Sequence, residues 1–156
     1  MKEINLTTKI AVYSYSELTA EDKKLTSMAK EATKRAYSPY SHFNVGVALL
    51  LDNGEILTGA NQENAAFSSG TCAERSVIYY AGANYPGVPF KKLVIAAWTD
   101  GDFVQTPISP CGHCRQAILE YDTIGGKRIE IILCGRDEVY VLDSIKALMP
   151  LSFVEF

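Results

Sequence analysis

Three cysteines set the strongest condition on how this chain folds. Cys72 stands in Thr71-Cys72-Ala73-Glu74-Arg75, and the other two in Ser109-Pro110-Cys111-Gly112-His113-Cys114. Both stretches read as helix starts. In the second, Ser109 suits the cap and Pro110 the first helical position, where a missing N–H is harmless. Cys111 and Cys114 are three residues apart, so on a helix they share a face. A thiolate at a helix N-terminus is favoured by the dipole and by unpaired backbone N–H groups. If the two helix starts face each other, three sulfurs converge on one metal ion. Three protein ligands with a fourth position open is the catalytic zinc arrangement, and four closed ligands the structural one.

At 156 residues the chain supports a core of its own and needs no metal staple to fold. Its net charge of −3, with no basic block, speaks against a nucleic-acid partner. No apolar run is long enough for a membrane span, and Met1-Lys2-Glu3-Ile4-Asn5-Leu6 lacks the apolar stretch of a signal peptide. The expectation is a cytoplasmic protein with no membrane partner, where paired cysteines serve metals or catalysis more often than disulfides.

Residues 1–17 carry little pattern and read as an N-terminal arm, in which Ile10, Val12 and Tyr13 offer at most a short strand. Residues 18–156 read as one domain. Thr19 caps a helix whose apolar face is Leu25, Met28, Ala29, Ala32 and Ala36, and Pro39 stops it. Residues 43–51 and 55–60 read as strands joined at Asp52-Asn53-Gly54, a hairpin signal. A helix over 72–83 presents Val77, Ile78 and Ala81. Residues 93–98 form an almost continuous apolar run, as in a strand covered on both faces. The helix opened at Ser109 runs to about Tyr121, before the break at Gly125-Gly126. Strands follow at 129–134 and 139–142; the link between them is too short for a parallel crossover, so they pair antiparallel. A short helix over 144–148 ends before Pro150. This order predicts an α/β fold, a three-layer α/β/α sandwich on a mixed five-stranded sheet.

Glu74, two residues beyond Cys72, is placed to reach the open coordination position without ligating, and so to move protons there. Thr71-x-x-Glu74 equally matches a capping box, in which Glu74 only ties down a backbone N–H. Cys111-Gly112-His113-Cys114 also matches a dithiol redox tetrapeptide, although Pro110 stands where such modules carry an aromatic residue. Cys134 could close a structural site as a fourth ligand, or be a buried small hydrophobe at a strand end. Three thiolates on a divalent zinc leave a net charge of −1. Arg75 could offset it by donating to the sulfurs, or be a plain surface charge. His42 and His113 have no metal-like spacing to the cysteines and read as solvent-facing.

Cys72-Ala73-Glu74-Arg75 followed by Ser109-Pro110-Cys111-Gly112-His113-Cys114-Arg115-Gln116 resembles the small homotetrameric cytidine deaminases, zinc enzymes with a non-ligating Glu and a P-C-x-x-C pair. The likeness continues in Tyr37-Ser38-Pro39-Tyr40-Ser41-His42-Phe43-Asn44-Val45-Gly46, in Gly59-Ala60-Asn61-Gln62-Glu63-Asn64-Ala65 and in Leu148-Met149-Pro150-Leu151-Ser152-Phe153. It spans roughly residues 20–153. The resemblance implies one Zn²⁺ per chain on Cys72, Cys111 and Cys114, with Glu74 as the proton shuttle. It implies that Phe43 packs on a pyrimidine, that Asn61 and Glu63 bind ribose hydroxyls, and that the Ala73 N–H contacts the ring carbonyl. Arg75 would support the cysteine sulfurs, and Phe153 would reach a neighbouring subunit's site. The implied reaction is hydrolytic deamination of cytidine and deoxycytidine in pyrimidine salvage, by a homotetramer acting on a small nucleoside. Phe67 departs from the Tyr of many relatives, so a hydroxyl contact near the subunit interface is missing. Arg75 after the Glu favours cytidine over blasticidin as substrate.

Overall fold

A computed structural model describes residues 1–154, so the last two residues of the expected 18–156 domain lie outside it. The strands are β1 (Ala11–Ser14), β2 (Asn44–Leu51), β3 (Ile56–Ala60), β4 (Phe90–Thr99), β5 (Asp102–Phe103), β6 (Glu130–Cys134) and β7 (Glu138–Leu142). The helices are α1 (Ala20–Ala32), α2 (Ala73–Asn84) and α3 (Gly112–Ile124). The strands form one sheet in the order β1-β7-β6-β4-β2-β3, with β5 pairing β4. Among the described strands, β4–β6 is the one parallel pairing; β6 and β7 pair antiparallel, as their short link requires.

Strict alternation divides the sheet into two apolar faces. Val47, Leu49 and Leu51 of β2, Leu93 and Ile95 of β4, and Ile131 and Leu133 of β6 pack with Val77, Ile78 and Ala81 of α2 and Ile118 and Leu119 of α3. Their neighbours Ala48, Leu50, Val94, Ala96, Ile132 and Cys134 pack on the other side with Leu25 and Ala29 of α1. This is the expected three-layer sandwich, with α1 alone on one side and α2 and α3 together on the other.

The sheet has seven strands, not five. β1 runs along the free edge of β7, Ala11 opposite Val141 through Ser14 opposite Glu138. An edge strand with mostly exposed side chains pairs through its backbone and leaves no alternation to read. β5 folds straight back on β4 through Asp100 and Gly101, which take φ of 53° and 85°; it is too short to show a period. The segment over Ile145–Leu148 is a 3₁₀ turn, capped by Ser144.

Two glycines are demanded by geometry. Gly54, at φ 90°, closes the β2–β3 hairpin. Gly46 lies under α1: a Cβ there would stand 2.2 Å from the Ala29 carbonyl oxygen and 2.5 Å from the Thr33 nitrogen. Both are backbone atoms that no rotamer change can move aside. Gly46→Ala is therefore expected to cost about 2–3 kcal/mol by overpacking, seen as a thermal midpoint lower by roughly 5–10 °C. An unchanged midpoint would mean that α1 does not sit this close to β2.

Candidate active site

α2 leads into β4 and α3 into β6. Because those strands run parallel, the two helices run the same way and begin at the same edge of the sheet, beyond the strands' C-terminal ends. Each helix has a cysteine as its N-cap. Cys72 caps α2 with φ −72° and ψ 154°, its carbonyl accepting from the Ser76 N–H at 3.1 Å. Cys111 caps α3 with φ −65° and ψ 166°, its carbonyl accepting from the Arg115 N–H at 2.9 Å. The helix thus begins later than the Ser109 cap expected from sequence. The Pro110 carbonyl and the Ser109 hydroxyl are instead taken by the Arg115 side chain, which holds this segment outside the helix. Neither cysteine sulfur makes a capping bond, so both are left for other use.

The Sγ atoms of Cys72, Cys111 and Cys114 lie within 4.8 Å of one another. Cys72 and Cys111 are 3.8 Å apart, and Cys111 and Cys114 3.5 Å. Tetrahedral zinc with Zn–S bonds of about 2.3 Å requires sulfur–sulfur edges of about 3.8 Å. Donor type, number and spacing therefore all fit zinc. A dithiol redox pair has no use for the third sulfur. Cys134 takes no part: it is 1% exposed on the α1 face, the opposite side of the sheet, with its thiol pushed up to about 12 by burial. The closed four-cysteine site is thereby excluded, and Cys134 is the buried small hydrophobe.

The sulfurs are electrostatically unequal. Cys72 is held well below the ordinary thiol range, first by its contact with the Cys114 thiol and then by Arg75 and Cys111. Cys114 is pushed up by the same contact and by burial. Arg75 Nη2 stands 3.9 Å from Cys72 Sγ, while its Nε is buried without a hydrogen-bond partner. Arg75 thus faces the sulfur cluster and is no plain surface charge.

Glu74 sits in the first turn of α2 and is 4% exposed. No capping box forms around it, because the cap position belongs to Cys72 and Thr71 Oγ1 turns to the Cys72 carbonyl at 3.4 Å. Burial raises the Glu74 carboxyl above the usual range, and the charge on Cys72 adds to the effect. Ala73, the first helical residue, is fully buried beside it.

A cleft of about 440 Å³ opens beside Cys72, and Asn61, Glu63, Phe67 and Arg75 line it. Asn61 is fixed by two backbone bonds: Oδ1 accepts from the Val45 N–H at 2.7 Å, and Nδ2 donates to the Phe43 carbonyl at 2.9 Å. Glu63 accepts from the Tyr40 and Ser41 N–H groups at 2.9 and 3.2 Å and from the Ser41 hydroxyl. These bonds, the hydroxyl's first, hold its carboxyl below the usual range. Neither Phe43 nor Phe153 is among the lining residues; Phe43 is linked to the cleft wall through its carbonyl, which accepts from Asn61. His42 and His113 are exposed, as expected. Sequence reasoning gave no role to Tyr40 and Ser41, since two of the three bonds to Glu63 come from backbone N–H groups that no residue type encodes.

Comparison with known proteins agrees with this geometry. Residues 19–127 match the family model of the cytidine and deoxycytidylate deaminase zinc-binding region. A cytidine deaminase of Sporosarcina psychrophila is 46% identical over 100 residues, covering 64% of this chain and 68% of that protein. A probable cytidine deaminase of Dictyostelium discoideum is 38% identical over 130 residues, covering 83% and 82%. The crystal structure of cytidine deaminase from Burkholderia pseudomallei matches with a TM-score of 0.70 at 37% identity, over 87% of this chain and 100% of that one. With its sulfur triad and its fold both in place, the chain belongs to the zinc-binding cytidine and deoxycytidylate deaminase family.

Proposed function

We propose that this protein hydrolyses cytidine and deoxycytidine to uridine and deoxyuridine with release of ammonia, a reaction of pyrimidine salvage, as a cytoplasmic homotetramer. The observation that carries the reading is the cluster of three sulfurs at two helix N-termini with the buried Glu74 beside it. Cys72, Cys111 and Cys114 hold the zinc. When bound, zinc supplies a Lewis acid that brings water's ionisation towards neutral pH.

The chain's own groups perform the rest. Water adds to the amine-bearing ring carbon as Glu74 accepts its proton and passes it to the adjacent ring nitrogen. Glu74 then takes the remaining proton of the added hydroxyl and delivers it to the amine, so that the carbonyl forms as the carbon–nitrogen bond breaks and ammonia leaves. A carboxyl raised by burial favours the proton uptake that the first transfer requires. The Ala73 N–H, one of the unpaired donors of the first helical turn, is offered to the ring carbonyl. Asn61 and Glu63 on the cleft wall take the sugar hydroxyls, and the Phe43 ring packs on the base. Arg75 draws charge from the sulfurs. The exposed Phe67, Tyr79 and Tyr80 give the assembly an apolar face, and Phe153 reaches a neighbour's cleft.

Glu74→Gln keeps the shape and removes the titrating oxygen. It is expected to retain zinc and lose about 10²–10⁴-fold in turnover, followed by the fall in ultraviolet absorbance as cytidine is consumed. Turnover near wild type would remove Glu74 from the chemistry.

Zinc content provides a separate check. Cys111→Ser should lose the metal and Cys134→Ser should keep one ion per chain, measured by elemental analysis of the purified variants. Loss of zinc in the Cys134 variant would contradict its place on the far face of the sheet.

A further inference from the structure

On the reading that Cys72, Cys111 and Cys114 hold zinc, we propose that Arg115 is a positioning residue that fixes the Cys111 sulfur and ties the metal-bearing turn to the C-terminal segment. All three guanidinium nitrogens are engaged. Nε donates to the Pro110 carbonyl at 2.8 Å, Nη2 to the Ser109 hydroxyl at 2.8 Å, and Nη1 to the Leu148 carbonyl at 2.9 Å. The Arg115 backbone N–H donates to the Cys111 carbonyl at 2.9 Å. One residue therefore brackets Cys111, holding the peptide before it by the side chain and the peptide after it by the backbone. Gln116, next along α3, donates to the Phe153 carbonyl at 3.1 Å, so adjacent residues pin two points of the C-terminal segment.

Cys111 needs such an anchor more than its partners do. Cys114 is buried and fixed by packing, whereas Cys111 is exposed and has no core around it. Its place is set by the backbone on either side. Pro110 is buried, so removing the Arg115 donor leaves its carbonyl without a partner and free to rotate the turn. A lysine would not substitute, because one ammonium group cannot span three acceptors arranged around a planar fork.

The test compares the zinc-loaded full chain with Arg115→Ala, Arg115→Lys and Ser109→Ala. The readouts are the rate of zinc capture by a chromogenic chelator and the sulfur-to-metal absorption bands after cobalt substitution, with circular dichroism as the check on folding. Arg115→Ala is expected to fold, to shift the cobalt bands and to release zinc about 10–100-fold faster. Arg115→Lys should release it nearly as fast, and Ser109→Ala about fivefold faster than wild type, the equivalent of one hydrogen bond. Wild-type release and cobalt bands in Arg115→Ala would overturn the proposal while leaving the metal site standing. Wild-type release in Arg115→Lys would overturn the three-point clamp. If Arg115→Ala does not fold, Ser109→Ala decides, and unchanged release there counts against the proposal. A wild-type protein that binds no zinc would sink the metal reading and this proposal together.

Discussion

The pairing of β4 with β6, parallel from Lys92 opposite Glu130 to Ala96 opposite Cys134, fixes where chemistry can occur in this molecule. Each strand is entered from a helix on the same face of the sheet. Parallel strands therefore force the two helix N-termini to one edge, whereas antiparallel strands would have sent them to opposite ends. The edge collects what a helix N-terminus offers: unpaired N–H groups and the positive end of the dipole. Cysteine at the cap of each helix turns that shared edge into a binding site for a soft cation. Register matters as much as direction. A slip of one residue in β6 would exchange its faces, bringing Cys134 out of the α1 layer to the side of the sulfur triad.

Most of the elements and their order were legible in the sequence, and so were the buried faces of α1 and α2, but the faces of the central strands were not. The run Leu93-Val94-Ile95-Ala96-Ala97 is apolar throughout, so nothing in it says that Leu93 and Ile95 meet α2 and α3 while Val94 and Ala96 meet α1. β1 was legible at most as a short strand, for the opposite reason: three of its four side chains are exposed, and pairing with β7 asks only for backbone. The start of α3 was misread because Ser109-Pro110 is a sound helix opening by local rules. A tertiary contact overrides those rules when Arg115 takes the Pro110 carbonyl and leaves the cap to Cys111. The metal donors were readable, since few side chains serve as soft ligands and their spacing is constrained. Asn61 and Glu63 were not readable as anything beyond a turn without the family likeness, because what distinguishes them is the set of partners that folding brings to them.

On the proposed reading, the electrostatics of the edge bear on how a carboxylate would work there. Three thiolates around a divalent cation leave one negative charge, which would blunt the cation's pull on water. Two helix N-termini, each worth roughly half a positive charge, offset about that much, and the Arg75 guanidinium adds its own beside Cys72. Cys72 gives up no capping role for this, since its sulfur accepts no capping bond from the first turn of its helix. Glu74 experiences the balance differently. It lies on the same first turn, yet burial dominates its surroundings, and the charge on Cys72 raises its proton affinity further. On the proposed reading the same sulfur is a donor to the cation and stands beside Glu74 as its charged neighbour. Moving Glu74 to an exposed position would leave the sulfurs intact and return the carboxyl to its ordinary range, where it would accept a proton poorly at neutral pH. The depth at which α2 begins, set by its packing on β2 and β3, is on the proposed reading part of the chemistry.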